Sequence, residues 1–187
     1  MARDDSLARS LHDLGLAAWF GGSLMGAVGL NGAASAVEEP KQRLRVANAG
    51  WARFTPVNLA AIGAHVLGGL LLTSANKGRL VGQRGVGTAA MTKTALTVAA
   101  LGATAYSRAL GAKLERAGDV AVEGGTAPSI DTPDDVASAQ RQLRMLQWVI
   151  PGLTGAILVV NAKMGEQQRP KNVVTGLVQR LLPDWAA

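Results

Sequence analysis

The chain has 187 residues, 48% hydrophobic, 17% charged and 4% aromatic, with a net charge of +6 and no cysteine. One domain suffices for this length, the shortage of charge against the roughly 25% usual in soluble domains points away from a fully water-exposed surface, and the absent thiols exclude disulfides and Cys-ligated metal. The basic balance raises nucleic acid as a partner, but Lys and Arg form no stripe or aromatic-laced patch; they sit between apolar runs, where a membrane protein carries loop charge, so no nucleic acid is expected.

The mean hydropathy is only +0.18 because the apolar runs are built from Ala and Gly rather than Leu and Phe. The first run, 14–37, reads LGLAAWFGGSLMGAVGLNGAASAV, 24 residues without a charge. At about 1.5 Å per residue it exceeds a hydrocarbon core of roughly 30 Å. Ala34-Ser35-Ala36 has the form of a cleavage site, but the leader carries Asp4, Asp5 and Asp13 against Arg3 and Arg9 and lacks a positive n-region, so a retained helix is expected. Gly22, Gly26 and Gly29 share one helical face, and Gly22 to Gly26 is a GxxxG. Lipid gives no hydrophobic reward for helix association, so these glycines are candidate packing positions where backbones approach closely.

The second run, 56–75, opens on Pro56, a tolerated first-turn residue, and holds Gly68 and Gly69 with Ala61 and Ala64 as a matching small surface. The third span, 90–110, is apolar only between Lys93 and Arg108, and depends on those side chains reaching the interface. Next comes an acidic stretch rich in Gly and Pro, 111–132, expected to be a solvated extramembrane loop. Thr132-Pro133-Asp134-Asp135 is a helix start, with a Thr cap, Pro at the first position and acids on the positive end of the dipole. That helix is expected to run through Gln140 and Arg144 into the fourth span, 145–162, with a kink at Pro151. In the tail, 172–182, Val173, Val174, Leu177, Val178, Leu181 and Leu182 fall on one face, as in a helix lying at the interface or packing on a partner.

These elements predict an all-α fold: a polytopic membrane four-helix bundle with a C-terminal amphipathic helix, forming a single domain over 1–187. Thirteen Arg against six Lys, with the Ala/Gly bias, point to a GC-rich bacterial source and hence a bacterial plasma membrane. The side bearing both termini holds 10 Lys and Arg and the other side 9, so charge scarcely sets orientation; acid in the third loop leans the termini towards the cytoplasm.

Polar groups inside spans are costly, so they are the functional pointers. Asn31, Gln147 and Asn161 fall near span ends, whereas His65 sits ten residues into its run. Three readings are open for it: a neutral imidazole bonded to a neighbouring helix, a ligand for haem or copper, or a proton-linked group. His12 lies just before the first span, roughly 15 Å in height from that span's centre, so the two imidazoles are not expected to share an ion; Met25 is nearer in depth to His65, and Met with His suits copper or haem iron. No triad, HExxH, P-loop or dinucleotide motif is present, and Gly82-Gln83-Arg84-Gly85-Val86-Gly87 lacks the strand and spacing of a phosphate loop.

His12-Asp-Leu-Gly-Leu-Ala-Ala-Trp19-Phe-Gly21-Gly22 resembles the opening of several small bacterial four-helix membrane families, the copper-resistance CopD-type domain among them. The chain also resembles small actinobacterial membrane proteins of unknown function. The resemblance covers about a dozen residues; it implies a four-helix membrane domain and a metal or haem link at His12. The expected function is a non-catalytic accessory subunit or interaction and assembly module, with the lipid bilayer and other membrane subunits or a second copy as partners. The alternative is a haem- or copper-binding membrane protein using His65 with Met25 or His12.

Overall fold

The computed structural model describes residues 5–75 and 86–166; the tail helix expected over 172–182 lies outside them. Four long helices carry the chain. The first, α1 (Ser6–Ser35), contains a π turn at Gly26–Leu30. It is followed by α2 (Pro40–Ala75), α3 (Val86–Ala117) and α4 (Asp134–Glu166), with a two-stranded antiparallel hairpin, β1 (Val122–Gly124) and β2 (Ala127–Pro128), between α3 and α4. Among the described residues, α1, α2 and α4 are long and apolar enough to cross a membrane. The expected third span falls within α3, which is long enough but is not among those three.

The helices outrun the apolar runs that announced them. Pro56, expected in a first turn, lies in the interior of α2, which begins at Pro40. Charged positions on its early turns (Lys41, Arg45, Arg53) face outward while Leu44 and Ala47 are buried, so the helix continues where the hydropathy does not. The proline removes an amide that would have bonded the Ala52 carbonyl, and one residue earlier Thr55 Oγ1 donates to Trp51 O at 2.8 Å. Pro151 likewise sits inside α4, which runs on through it.

α1 packs against α2 and α3 against α4, and α1 with α4 joins the two pairs. The core has two centres. Leu16, Trp19, Ala100, Ile150 and Ile157 fill one level; Leu44, Leu110, Leu114, Val122, Val136 and Ala139 fill the end near the hairpin.

The stretch expected to be solvated is partly a folded cap. Residues 111–117 complete α3, which ends before Gly118 at φ 71, the left-handed residue that follows many helices. Val122 is fully buried and Gly124 and Gly125 are buried, whereas Glu123 and Ile130 remain exposed. Its carbonyls are met by side chains from the helices: Gln140 Nε2 donates to Gly124 O at 2.9 Å, Arg43 Nη1 to Val122 O at 3.3 Å, and Arg144 Nε to Thr126 O at 3.1 Å. Satisfied carbonyls are what allow backbone to fold onto helix ends. α4 begins where expected, with Asp134 and Asp135 in its first turn. The Thr132 hydroxyl is spent elsewhere: it donates to Ala121 O and accepts from Ser129 N, both at 2.8 Å, and so closes the cap.

Candidate functional site

The polar groups of the helices gather at two levels. The first is the end of the molecule away from the hairpin, where α1 begins and α2 and α4 finish. His12 of α1 and His65 of α2 are both buried, with ring centroids 4.3 Å apart and planes tilted by 43°. This corrects the expectation that they lie at different depths. α1 and α2 form an antiparallel hairpin turning over Ala36–Glu39; His12 lies 24 residues before Ala36 (36 − 12) and His65 lies 26 after Glu39 (65 − 39), so they reach the same height. Treating 56–75 as the whole second helix had displaced His65.

Glycine makes the approach close enough. A Cβ on Gly15 would overlap the Ala61 carbonyl oxygen and lie 2.6 Å from His65 N; one on Gly68 would lie 2.5 Å from both Ala8 O and His12 N. These are backbone-to-backbone contacts, the arrangement that small residues permit in lipid. Gly69 abuts the His12 ring, where a Cβ would come 3.3 Å from Cδ2.

Each imidazole is oriented by its bonds. His65 Nδ1 lies 3.1 Å from the carbonyl of His12, and since a carbonyl only accepts, this nitrogen carries the proton. His12 Nδ1 lies 2.8 Å from Asp13 Oδ1 and donates to it, leaving Nε2 to accept from Lys93 Nζ at 3.4 Å. The Asn161 amide lies 3.5 Å from His12 Nδ1. Trp19, fully buried, sets its ring 6.2 Å from that of His65 and donates Nε1–H to Thr104 Oγ1 at 3.2 Å. The cluster therefore draws on all four helices.

This donor set does not fit a metal or haem shared by the two histidines. Three of the four ring nitrogens already have partners, leaving His65 Nε2, and no group of three or more His, Cys, Asp or Glu converges among the described residues. Met25 is not brought to the site. It lies 13 residues along α1 from His12, about 20 Å at the helical rise, with its side chain 64% exposed.

The second level lies nearer the hairpin. The π turn adds a residue to α1 and Asn31, which follows it, is buried. Asn31 Oδ1 accepts from Trp51 Nε1 at 3.0 Å, and its Nδ2 donates to Gln147 Oε1 at 2.9 Å. Thr126 Oγ1 of the cap lies 3.5 Å from the same Gln147 oxygen. Asn31 and Gln147, which the sequence places near span ends, thus tie α1, α2 and α4 to one another.

The expected packing glycines divide. Gly22 sits beneath the Phe54 ring and Gly26 beneath Trp51, so neither could carry a Cβ without moving an aromatic ring. Gly29 faces outward and meets only Met25 of its own helix. Sequence reasoning missed Gly15, whose spacing places it outside the GxxxG, and Lys93, which had been read as an interfacial cation. The signal for Lys93 was its place about two turns inside the start of α3, at the same end as His12 near the start of α1, because the first and third helices of an up-down bundle run parallel. No protein-family model matches the chain, and neither a curated protein nor a solved structure is similar to it.

Proposed function

We propose that the protein is a multi-pass four-helix bundle of the bacterial plasma membrane that acts without catalysis, as an accessory subunit or assembly module for other membrane helices. The observation that carries this reading is the outward surface. Gly21 and Gly32 of α1, Gly63 of α2, Gly102 of α3 and Gly152 of α4 face away from the interior, each with open space where a Cβ would stand. They lie among large exposed apolar side chains such as Leu14, Leu59, Leu70, Val98 and Trp148. A glycine in mid-helix costs about 1 kcal/mol relative to Ala, and a lipid-facing one recovers nothing unless another helix packs on it. The polar groups, by contrast, are largely engaged within the chain, as in a structural rather than a reacting site. The four-helix families that the His12–Trp19–Gly22 opening resembles accord with such a domain.

Solubilisation of native membranes in mild detergent, capture of a tagged chain and mass spectrometry of the intact assembly test this. A defined complex with other membrane subunits, or a homo-oligomer, is the expected result, weakened by replacing Gly21 and Gly32 with Leu. A lone monomer from native membranes, unaltered by those substitutions, overturns it. A Soret band or stoichiometric copper in the same preparation would replace it with a metal-binding reading.

A further inference from the structure

α1 packs tightly on α2 and α3 on α4, whereas α2 and α3 touch only sparsely, so two helical pairs are joined chiefly along α1 and α4. At the end where α1 begins, two polar contacts between the pairs converge on one ring. Lys93 Nζ of α3 lies 3.4 Å from His12 Nε2, and the Asn161 amide of α4 lies 3.5 Å from His12 Nδ1. The ring also bridges opposite charges: its Nδ1–H donates to the Asp13 carboxylate at 2.8 Å, and Nε2 offers a lone pair to the Lys93 ammonium. Only the neutral imidazole makes this bridge, because only the neutral ring has both a donor and an acceptor.

A proton arriving at Nε2 removes the acceptor. The imidazolium donates at both nitrogens and Lys93 has only donors to offer, so the bond is lost and two like charges face one another across the same short contact. The His12 residue is buried, which leaves little solvent to screen them. The surroundings do not relieve the clash. Among the described residues, the titratable or charged groups acting on the ring are Asp13 of its own helix, His65 of α2 and Lys93 of α3; α4 presents the neutral Asn161, and Arg9 of α1 adds positive charge near Lys93. Asp13 already accepts from Nδ1 in either state, and His65 spends its Nδ1–H on the His12 carbonyl. The backbones of α1 and α2 are locked together at Gly15 and Gly68, so what yields is the looser junction with α3 and α4. We infer that His12 is an acid-sensitive latch: neutral, it ties the α1–α2 pair to the α3–α4 pair at this end, and protonated, it lets the pairs part there. Asp13, with its side chain 55% exposed beside the ring, marks the way in for the proton. The bonded form excludes the proton and the parted form, with the ring wetted, admits it, so falling pH favours parting. The latch depends on contacts within one chain and is independent of any partner subunit.

The test uses the full chain in lipid nanodiscs. Because the chain has no cysteine, Leu14→Cys with Met91→Cys, exposed on α1 and α3, carries a pair of spin labels; Leu14→Cys with Leu70→Cys, on α1 and α2, is the control. Double electron–electron resonance reads both distances from about pH 8 to about pH 4, on either side of the ordinary imidazole value of about 6.5. The α1–α3 distribution is expected to gain a longer component as pH falls, its ratio to the shorter one changing by up to about tenfold per pH unit, the limit for one proton. The α1–α2 distribution stays fixed. His12→Gln, whose amide still donates to Asp13 and accepts from Lys93, keeps the short distance and loses the pH response. Lys93→Met, which removes the like charge, also loses the response and remains informative if His12→Gln fails to fold. Asp13→Asn keeps the response, because the asparagine oxygen still accepts from Nδ1. An α1–α3 distance independent of pH, equal lengthening between α1 and α2, a response that survives His12→Gln or Lys93→Met, or one abolished by Asp13→Asn overturns the proposal.

Discussion

At the residue scale, the decisive positions are glycines with a neighbour's backbone against them. Gly15 and Gly68 hold α1 and α2 at a distance no Cβ tolerates, and the histidine pair exists because of them. Gly68→Ala is therefore expected to destabilise the protein by about 1–3 kcal/mol, the range for overpacking a site that cannot relax. Gly63→Ala, on the same helix but with nothing within 4 Å of the added Cβ, is expected to be neutral or stabilising by a few tenths of a kcal/mol. Thermal melts in detergent compare the two, and equal shifts would refute the close-approach account. His65 was legible as unusual from its place in an apolar run. Its partner was not, because contact between distant residues depends on where the chain turns, and hydropathy says little about that.

At the scale of elements, the helices were readable and their ends were not. The start of α4 is the exception: it followed from Pro133 and the two aspartates, local signals, although the Thr132 hydroxyl expected to cap it bonds Ala121 and Ser129 instead. The start of α2 was not legible because its first four turns carry Lys41, Arg43, Arg45 and Arg53 around a buried Leu44 and Ala47, and a hydropathy run averages over faces. The segment after α3 misled for a different reason. Gly, Pro and acid are the composition of a loop, and whether a loop is solvated or folded down depends on donors elsewhere. Gln140 is such a donor, fully buried in α4 and bonded to the hairpin carbonyls of Gly124 and Gly125. Gln140→Ala leaves those carbonyls unmet at a cost of about 1–3 kcal/mol. The expected outcome is faster cleavage between residues 118 and 133 in limited proteolysis, with α1 and α2 still resistant. Unchanged cleavage would mean the cap does not depend on this bond.

For the whole molecule, the arrangement places the histidine cluster at one end and the cap at the other, with apolar side chains exposed between. Because the chain has no native cysteine, single substitutions report this cleanly. Ile130→Cys, at a position 98% exposed on the cap, is expected to react with a membrane-impermeant maleimide applied to its own side of the bilayer. Leu59→Cys and Val98→Cys, 70% and 64% exposed at mid-helix, are expected to stay unlabelled until the protein is denatured in SDS. Val98 is the sharper probe, since α3 is the helix whose composition least demands a membrane. Labelling there in intact vesicles would remove α3 from the spanning set.

The sequence by itself determined the class: a helical chain with apolar runs and a surplus of small residues, in which four spans are expected and, among the described residues, three helices of the structure are long and apolar enough to cross a membrane. Those properties are set by composition along short stretches. Only the tertiary structure decided that His12 meets His65, that Asn31 and Gln147 join across the helices, that Gly22 and Gly26 lie under aromatic rings while Gly21 and Gly32 face outward, and that a loop-like sequence closes one end. The reason is geometric: a residue's neighbours across a helix pair depend on the turn position, the helical phase and a single π turn, and a shift of one residue rotates a side chain by about 100°.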